Sequence, residues 1–181
     1  MNTAKKNVVL IGMRGAGKSS VGVILATQLQ LELIEMDALI VDEARMSIPQ
    51  IVEKYGWEHF RAIEARVTEQ VSRREGTVNS TGGGVILNPQ NVQVLQRHGI
   101  VFWLDVSTDN ILQRINEDPN RPSLTEKASL REEIETVLTQ RAELYYRAAD
   151  EVIDTNGKLP EQVAEEILQL LQTEYRLEVA Q

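Results

Sequence analysis

The stretch Gly12-Met13-Arg14-Gly15-Ala16-Gly17-Lys18-Ser19 constrains this chain more than any other. Gly12 and Gly17 flank four residues and are followed by Lys and Ser, the spacing of a phosphate-binding loop. The apolar run Val8-Val9-Leu10-Ile11 precedes it and reads as a buried strand. Val21, Ile24, Leu25 and Leu29 follow at helical spacing. Strand, glycine loop and helix in that order give the motif its physical meaning. The glycines let successive N–H groups turn toward one centre, and the helix aims its positive dipole end at the same place. Gly15, Ala16, Gly17 and Ser20 would line bound phosphates. Lys18 would neutralise the β- and γ-phosphates, and the Ser19 hydroxyl would ligate Mg²⁺.

Composition narrows what such a chain can do. Its 181 residues suit one domain, 1–181, with a full core. The net charge of −8 leaves no basic excess for a nucleic-acid partner. There is no Cys, which excludes disulfides, thiolate metal sites and cysteine nucleophiles. His59 and His98 stand far apart and read as ordinary helix residues. The short polar start has no apolar signal core, and no apolar stretch reaches membrane-spanning length. A cytoplasmic setting without a membrane partner is therefore expected.

Five strand candidates alternate with helical patterns. After the first come Leu33 to Asp37, Thr77 to Thr81, Ile100 to Asp105 and Val152 to Asp154. The fourth is almost wholly apolar, as a parallel strand covered on both faces would be. The alternation predicts an α/β fold of βαβ units. Ser47 and Pro49 open a helix that Gly56 closes; Phe60, Ile63, Val67 and Val71 stripe the next. Pro89 and Pro160 stand near the starts of two more helices, and a long one runs from Leu130 to Ala149. The polar segment 117–129, with Pro119 and Pro122, reads either as a mobile lid or as a solvated linker. The tail beyond about residue 175 is expected to be loose.

A phosphate loop specifies a nucleotide but not a reaction. Candidates for the rest lie at the carboxyl ends of the strands, where open α/β sheets bind ligands. Asp37, read as the end of the second strand, could orient or deprotonate an attacking hydroxyl, or cap the following helix. Glu35, two residues earlier on the same strand face, could share the Mg²⁺ hydration shell. Gly82-Gly83-Gly84 either bares its backbone to a small ligand or forms a plain turn. Arg141 falls on the apolar stripe formed by Ile134, Val137, Leu138, Tyr145 and Ala148. A guanidinium there needs an anionic partner, either a side chain or a ligand. Arg61, beside the Phe60 stripe, would pass alone for a solvated charge, but two arginines are a natural trap for a carboxylate. Arg121 could bring charge to the transferring phosphoryl group when a lid closes.

From the glycine loop to about Asn156 the chain resembles the shikimate kinases. The resemblance rests on the loop, Asp37 with Ile40, Gly56 with Phe60-Arg61 and Glu64, Gly82 to Gly84, Arg121-Pro122, and Arg141 with Tyr145. It implies a three-layer fold with a five-stranded parallel sheet in order 2-3-1-4-5 and a mobile lid. It implies transfer of the γ-phosphoryl group of MgATP to shikimate, giving 3-phosphoshikimate for aromatic amino-acid biosynthesis. Lys18, Asp37 as base and Arg121 would then be catalytic, with Arg114 against the adenine. Asp37, Arg61, Arg141 and the Gly82 to Gly84 backbone would bind shikimate, the two arginines taking its carboxylate. A monomer is expected. Three positions depart from the family: Glu35 in place of the usual Asp, Trp57 where an acidic residue is common, and Gly157-Lys158 where some members carry an adenine-stacking Arg. A kinase for another small hydroxylated acid, such as gluconate, and a non-catalytic nucleotide-binding regulator are the alternatives.

Overall fold

A computed structural model describes residues 6–115 and 129–176. Arg121, the segment 117–128 and the tail beyond Arg176 therefore lie outside the described residues. Five strands, β1 (Asn7–Ile11), β2 (Glu32–Glu35), β3 (Thr77–Ser80), β4 (Gly99–Asp105) and β5 (Glu151–Asp154), form one sheet. Its order is β2-β3-β1-β4-β5, and every neighbouring pair is parallel. Parallel neighbours demand crossovers, which the helices supply. They are α1 (Lys18–Leu29), α2 (Met36–Ala44), α3 (Ile48–Ser72), α4 (Pro89–His98), α5 (Thr108–Ile115), α6 (Leu130–Ala148) and α7 (Pro160–Thr173).

The period of two along the central strand sorts residues into two cores. Val8 and Leu10 face one side, with Val21 and Leu25 of α1 and Ile167 and Leu171 of α7. Val9 and Ile11 face the other, with Leu95 of α4 and Tyr145 of α6. A third cluster joins Ile34 of β2 to Met36 and Ile40 of α2 and Phe60, Ile63 and Val67 of α3. Helix α6 belongs to both main cores: Ile134 and Val137 pack in the first, Tyr145 and Ala148 in the second. It thus passes from one layer to the other.

Local signals explain the helix limits. Ser47 caps α3 through a reciprocal box with Gln50, and Ser129 caps α6 in the same way with Glu132. Within α3, Gly56 adopts φ +82° and ψ 167°, a left-handed conformation that breaks the helical run. Strand β2 stops at Glu35, so Asp37 does not end a strand but lies in the first turn of α2, with Glu35 as N-cap. Glu35 and Asp37 accordingly do not share a strand face. The extra helix α5 was not anticipated; it spans eight residues with buried Ile111 and Ile115, too short for a clear periodic stripe.

Candidate active site

The glycine loop joins β1 to α1 and wraps the start of the helix. Gly12, Gly15 and Gly17 all take left-handed φ, at +145°, +79° and +93°. This turns the backbone back on itself above the positive end of α1. Lys18, although buried, donates from Nζ to the carbonyls of Gly12 at 2.8 Å and Met13 at 3.0 Å. Its ammonium is thereby held within the loop it would serve. Ser19 and Ser20 are exposed at the first turn of α1.

A cleft of about 540 Å³ opens in front of this loop. Its lining includes Lys18, Ser19, Glu35, Asp37, Gly83, Arg114 and Lys158. Asp37 and Glu35 therefore face the same space as Lys18, from the start of α2. Arg114, on α5, donates to the Gly15 carbonyl at 3.2 Å and to the Thr155 carbonyl at 3.0 Å. It ties the phosphate loop to the turn after β5. Lys158 in that turn pairs with Glu166 at 2.6 Å, while Gly157 leaves no side chain there. Leu159 is the exposed apolar group beside them.

On the far side of Asp37 stands a compact charge cluster. Arg61 binds Glu64 at 2.7 Å, one helical turn away on α3. Its guanidinium also stacks over the rings of Phe60 at 5.0 Å and Trp57 at 5.4 Å. Arg141, on α6, donates to the Gly83 carbonyl at 3.2 Å, and the Tyr145 hydroxyl donates to the same oxygen. Among the described residues Arg141 thus hydrogen-bonds a carbonyl and not an anionic side chain, and the charge of Glu64 lies within electrostatic reach.

The glycine run leaves room at this point for the ends of charged side chains. A Cβ on Gly84 would lie 2.2 Å from Arg61 Nη2, and one on Gly82 would lie 2.7 Å from Asp37 Oδ1 and 3.2 Å from Glu64 Oε1. The bare backbone is what lets Asp37, Arg61 and Glu64 converge.

Glu64 is only 1% exposed. Burial pushes its carboxyl above the ordinary value of 4.5, and the charge of Asp37 adds to this, against the pull of Arg61 and Arg141. Its Oε1 is buried and has no hydrogen-bond partner among the described residues. Burial likewise pushes the Tyr145 phenol up to about 12, so it remains a neutral donor at physiological pH. Glu64 gained no role from sequence reasoning. The available signal was its spacing from Arg61, which puts an acid one turn from a base.

The donor set suits Mg²⁺ rather than a softer ion. Among the described residues, no three His, Cys, Asp or Glu side chains cluster as a metal site. Ser19 and Glu35 offer isolated oxygens at the cleft, and Mg²⁺ characteristically keeps several waters and takes its remaining ligands from phosphates.

Comparison with known proteins agrees with this geometry. The family model for shikimate kinase matches residues 14–172. A shikimate kinase from Caldicellulosiruptor bescii is 39% identical over 165 residues, covering 91% of this chain and 95% of its own. The structure of Acinetobacter baumannii shikimate kinase in complex with shikimate superimposes with a TM-score of 0.89 at 35% identity, covering 94% of both chains. That of Aquifex aeolicus shikimate kinase gives a TM-score of 0.78 at 31% identity, over 94% of this chain and 98% of that one. With the phosphate loop, the glycine run and the paired arginines in place, this chain belongs to the shikimate kinase family.

Proposed function

We infer that this chain transfers the γ-phosphoryl group of ATP to shikimate, giving 3-phosphoshikimate and ADP in the route to aromatic amino acids. The observation that carries the reading is that the phosphate loop and Asp37 line one cleft, while Arg61 and Arg141 act on Glu64, which meets Asp37 beside Gly82. The loop amides and Lys18 hold the triphosphate. Arg61 and Arg141 receive the acceptor's carboxylate, with the Gly82 to Gly84 backbone as the pocket wall. Asp37 orients the acceptor hydroxyl and takes its proton as the new phosphorus–oxygen bond forms and the bond to ADP breaks. Because such a transition state is loose, positioning and charge outweigh proton removal.

Ser19 would hold Mg²⁺ directly and Glu35 through water, and the ion would neutralise charge on the β- and γ-phosphates. Arg114 fixes Gly15 and the Thr155 turn, and so shapes the nucleotide end of the cleft. Arg121 is proposed as the lid arginine on resemblance alone, since it lies outside the described residues. Action as a monomer is proposed on resemblance alone. Among the described residues, no helix is long and apolar enough to cross a membrane.

A coupled assay of ADP release with shikimate, with gluconate or with no acceptor tests this. Rapid turnover is expected with shikimate alone. Preference for gluconate would reassign the acceptor, and ADP release indifferent to any acceptor would remove the kinase reading.

A further inference from the structure

Arg14 is the one charged residue between Gly12 and Gly17. Its Nη2 donates to Glu133 Oε1 at 2.9 Å; the side chains are 15% and 1% exposed. A carboxylate that deep is costly unless a cation meets it. The pair is therefore part of the interior and not a surface contact.

Three contacts locate Arg14. Lys18 Nζ bonds the carbonyls of Gly12 and Met13, immediately before it. A Cβ on Gly83 would lie 3.3 Å from the Arg14 backbone nitrogen, so the acceptor loop abuts the phosphate loop at this residue. Glu133 reaches it from α6, the helix that two turns later sends Arg141 to the Gly83 carbonyl. Glu133 and Arg141 are eight residues apart, hence on one face and about 12 Å apart along the axis. One helix thus grips the phosphate loop with its carboxylate and the acceptor loop with its guanidinium. Arg14 stands at the seam between those loops and lines the same cleft as Lys18, Asp37 and Gly83.

We propose that Arg14 is a further catalytic cation for phosphoryl transfer and that Glu133 is its positioning residue. The inference rests on the assignment of Lys18 to the phosphates. In the loose transition state, charge spreads over three equatorial oxygens, and a planar guanidinium matches two of them at once. A donor already fixed by a buried carboxylate needs little reorganisation to meet that charge. The bond from the γ-phosphorus to the β-bridging oxygen breaks as the bond to the acceptor oxygen forms, and the hydroxyl proton goes to Asp37. Arg14 supplies hydrogen bonds and exchanges no atom.

The test measures kcat, both KM values and melting temperature in the full chain. Arg14→Met should lower kcat about 10²–10³-fold, as loss of a preorganised donor does. Both KM values should stay within about threefold, the mark of an interaction made only in the transition state. Glu133→Gln should lower kcat about 10-fold, by loosening the fork. The exchanged pair, Arg14→Glu with Glu133→Arg, should recover the melting temperature but not kcat. Recovery of kcat in the exchanged pair, or a normal kcat in Arg14→Met, would show a mere structural staple and overturn the proposal. Should either variant fail to fold, Arg14→Lys decides, since it keeps the charge but not the fork. A kcat at least about 10-fold lower at unchanged melting temperature supports the proposal, and a normal kcat overturns it. Lys18→Met separates the two levels of argument. If it keeps turnover, the phosphate assignment fails and the proposal with it. If it loses turnover while Arg14→Met does not, only the role of Arg14 falls.

Discussion

The nucleotide half-site and the acceptor half-site proposed beside it are built on opposite principles. The nucleotide half is one continuous stretch, Gly12 to Ser19, and its main recognition surface is backbone turned by left-handed glycines. The acceptor half draws Asp37 from α2, Arg61 and Glu64 from α3, a glycine run after β3, and Arg141 and Tyr145 from α6. The first is a product of local conformation. The second exists only when distant elements pack, and it holds several charges in mutual balance around a buried carboxylate. Phosphate recognition should therefore tolerate damage to the acceptor half, whereas acceptor recognition should respond to changes one residue removed from the ligand.

The sharpest way to break this contrast is at Asp37, where the halves meet. Asp37→Asn should lower turnover by about 10²–10⁴-fold, the range for a positioned base. ADP affinity, read by calorimetry, should stay within about threefold if, as proposed, backbone amides and Lys18 hold the phosphates. Normal turnover would remove Asp37 from the mechanism. A smaller effect is expected at Gly84, whose backbone lines the acceptor pocket in this account but which carries no reacting group. In Gly84→Ala the new methyl must displace the Arg61 guanidinium. The shikimate KM should rise about 10-fold, the equivalent of one weakened charged hydrogen bond, with the ATP KM unchanged. Equal changes in both would mean that the halves are not separable.

The smallest effect concerns pH and the balance of charge. Glu64 is pushed above its ordinary 4.5 chiefly by burial. A raised acid binds its proton more tightly folded than unfolded, so its stabilising contribution is full below that ordinary value. It is lost as pH rises through the raised one. The melting temperature of the wild type minus that of Glu64→Gln should therefore fall from mildly acidic to neutral pH. The change should lie within about 4 °C for a domain this long. A difference that rises with pH would show that the Arg61 pairing outweighs burial.

The same division decides what could be read from the sequence. The order of strands and helices was legible because buried parallel strands leave apolar runs and α1 leaves a spaced stripe. The phosphate loop was legible because all its determinants are adjacent. The end of β2 was misplaced by two residues because Leu33 to Asp37 alternates like a strand, while the helical turn there begins without a Pro, Ser or Gly to mark it. Arg141 could be singled out as a charge on an apolar stripe. Its partner could not, because the Gly83 carbonyl is brought to it by packing across 58 residues of chain. The Arg14–Glu133 pair was hidden for the same reason, its members standing 119 positions apart in the chain. Helix α5, which carries Arg114, was too short to show a period.

The most direct test of the central claim is calorimetric titration of Arg141→Ala with shikimate and, separately, with MgADP. Two independently built half-sites predict that shikimate affinity falls about 10–150-fold, the loss of one charge-assisted contact, while MgADP affinity stays within about threefold. Parallel losses for both ligands, or undiminished shikimate binding, would contradict the account.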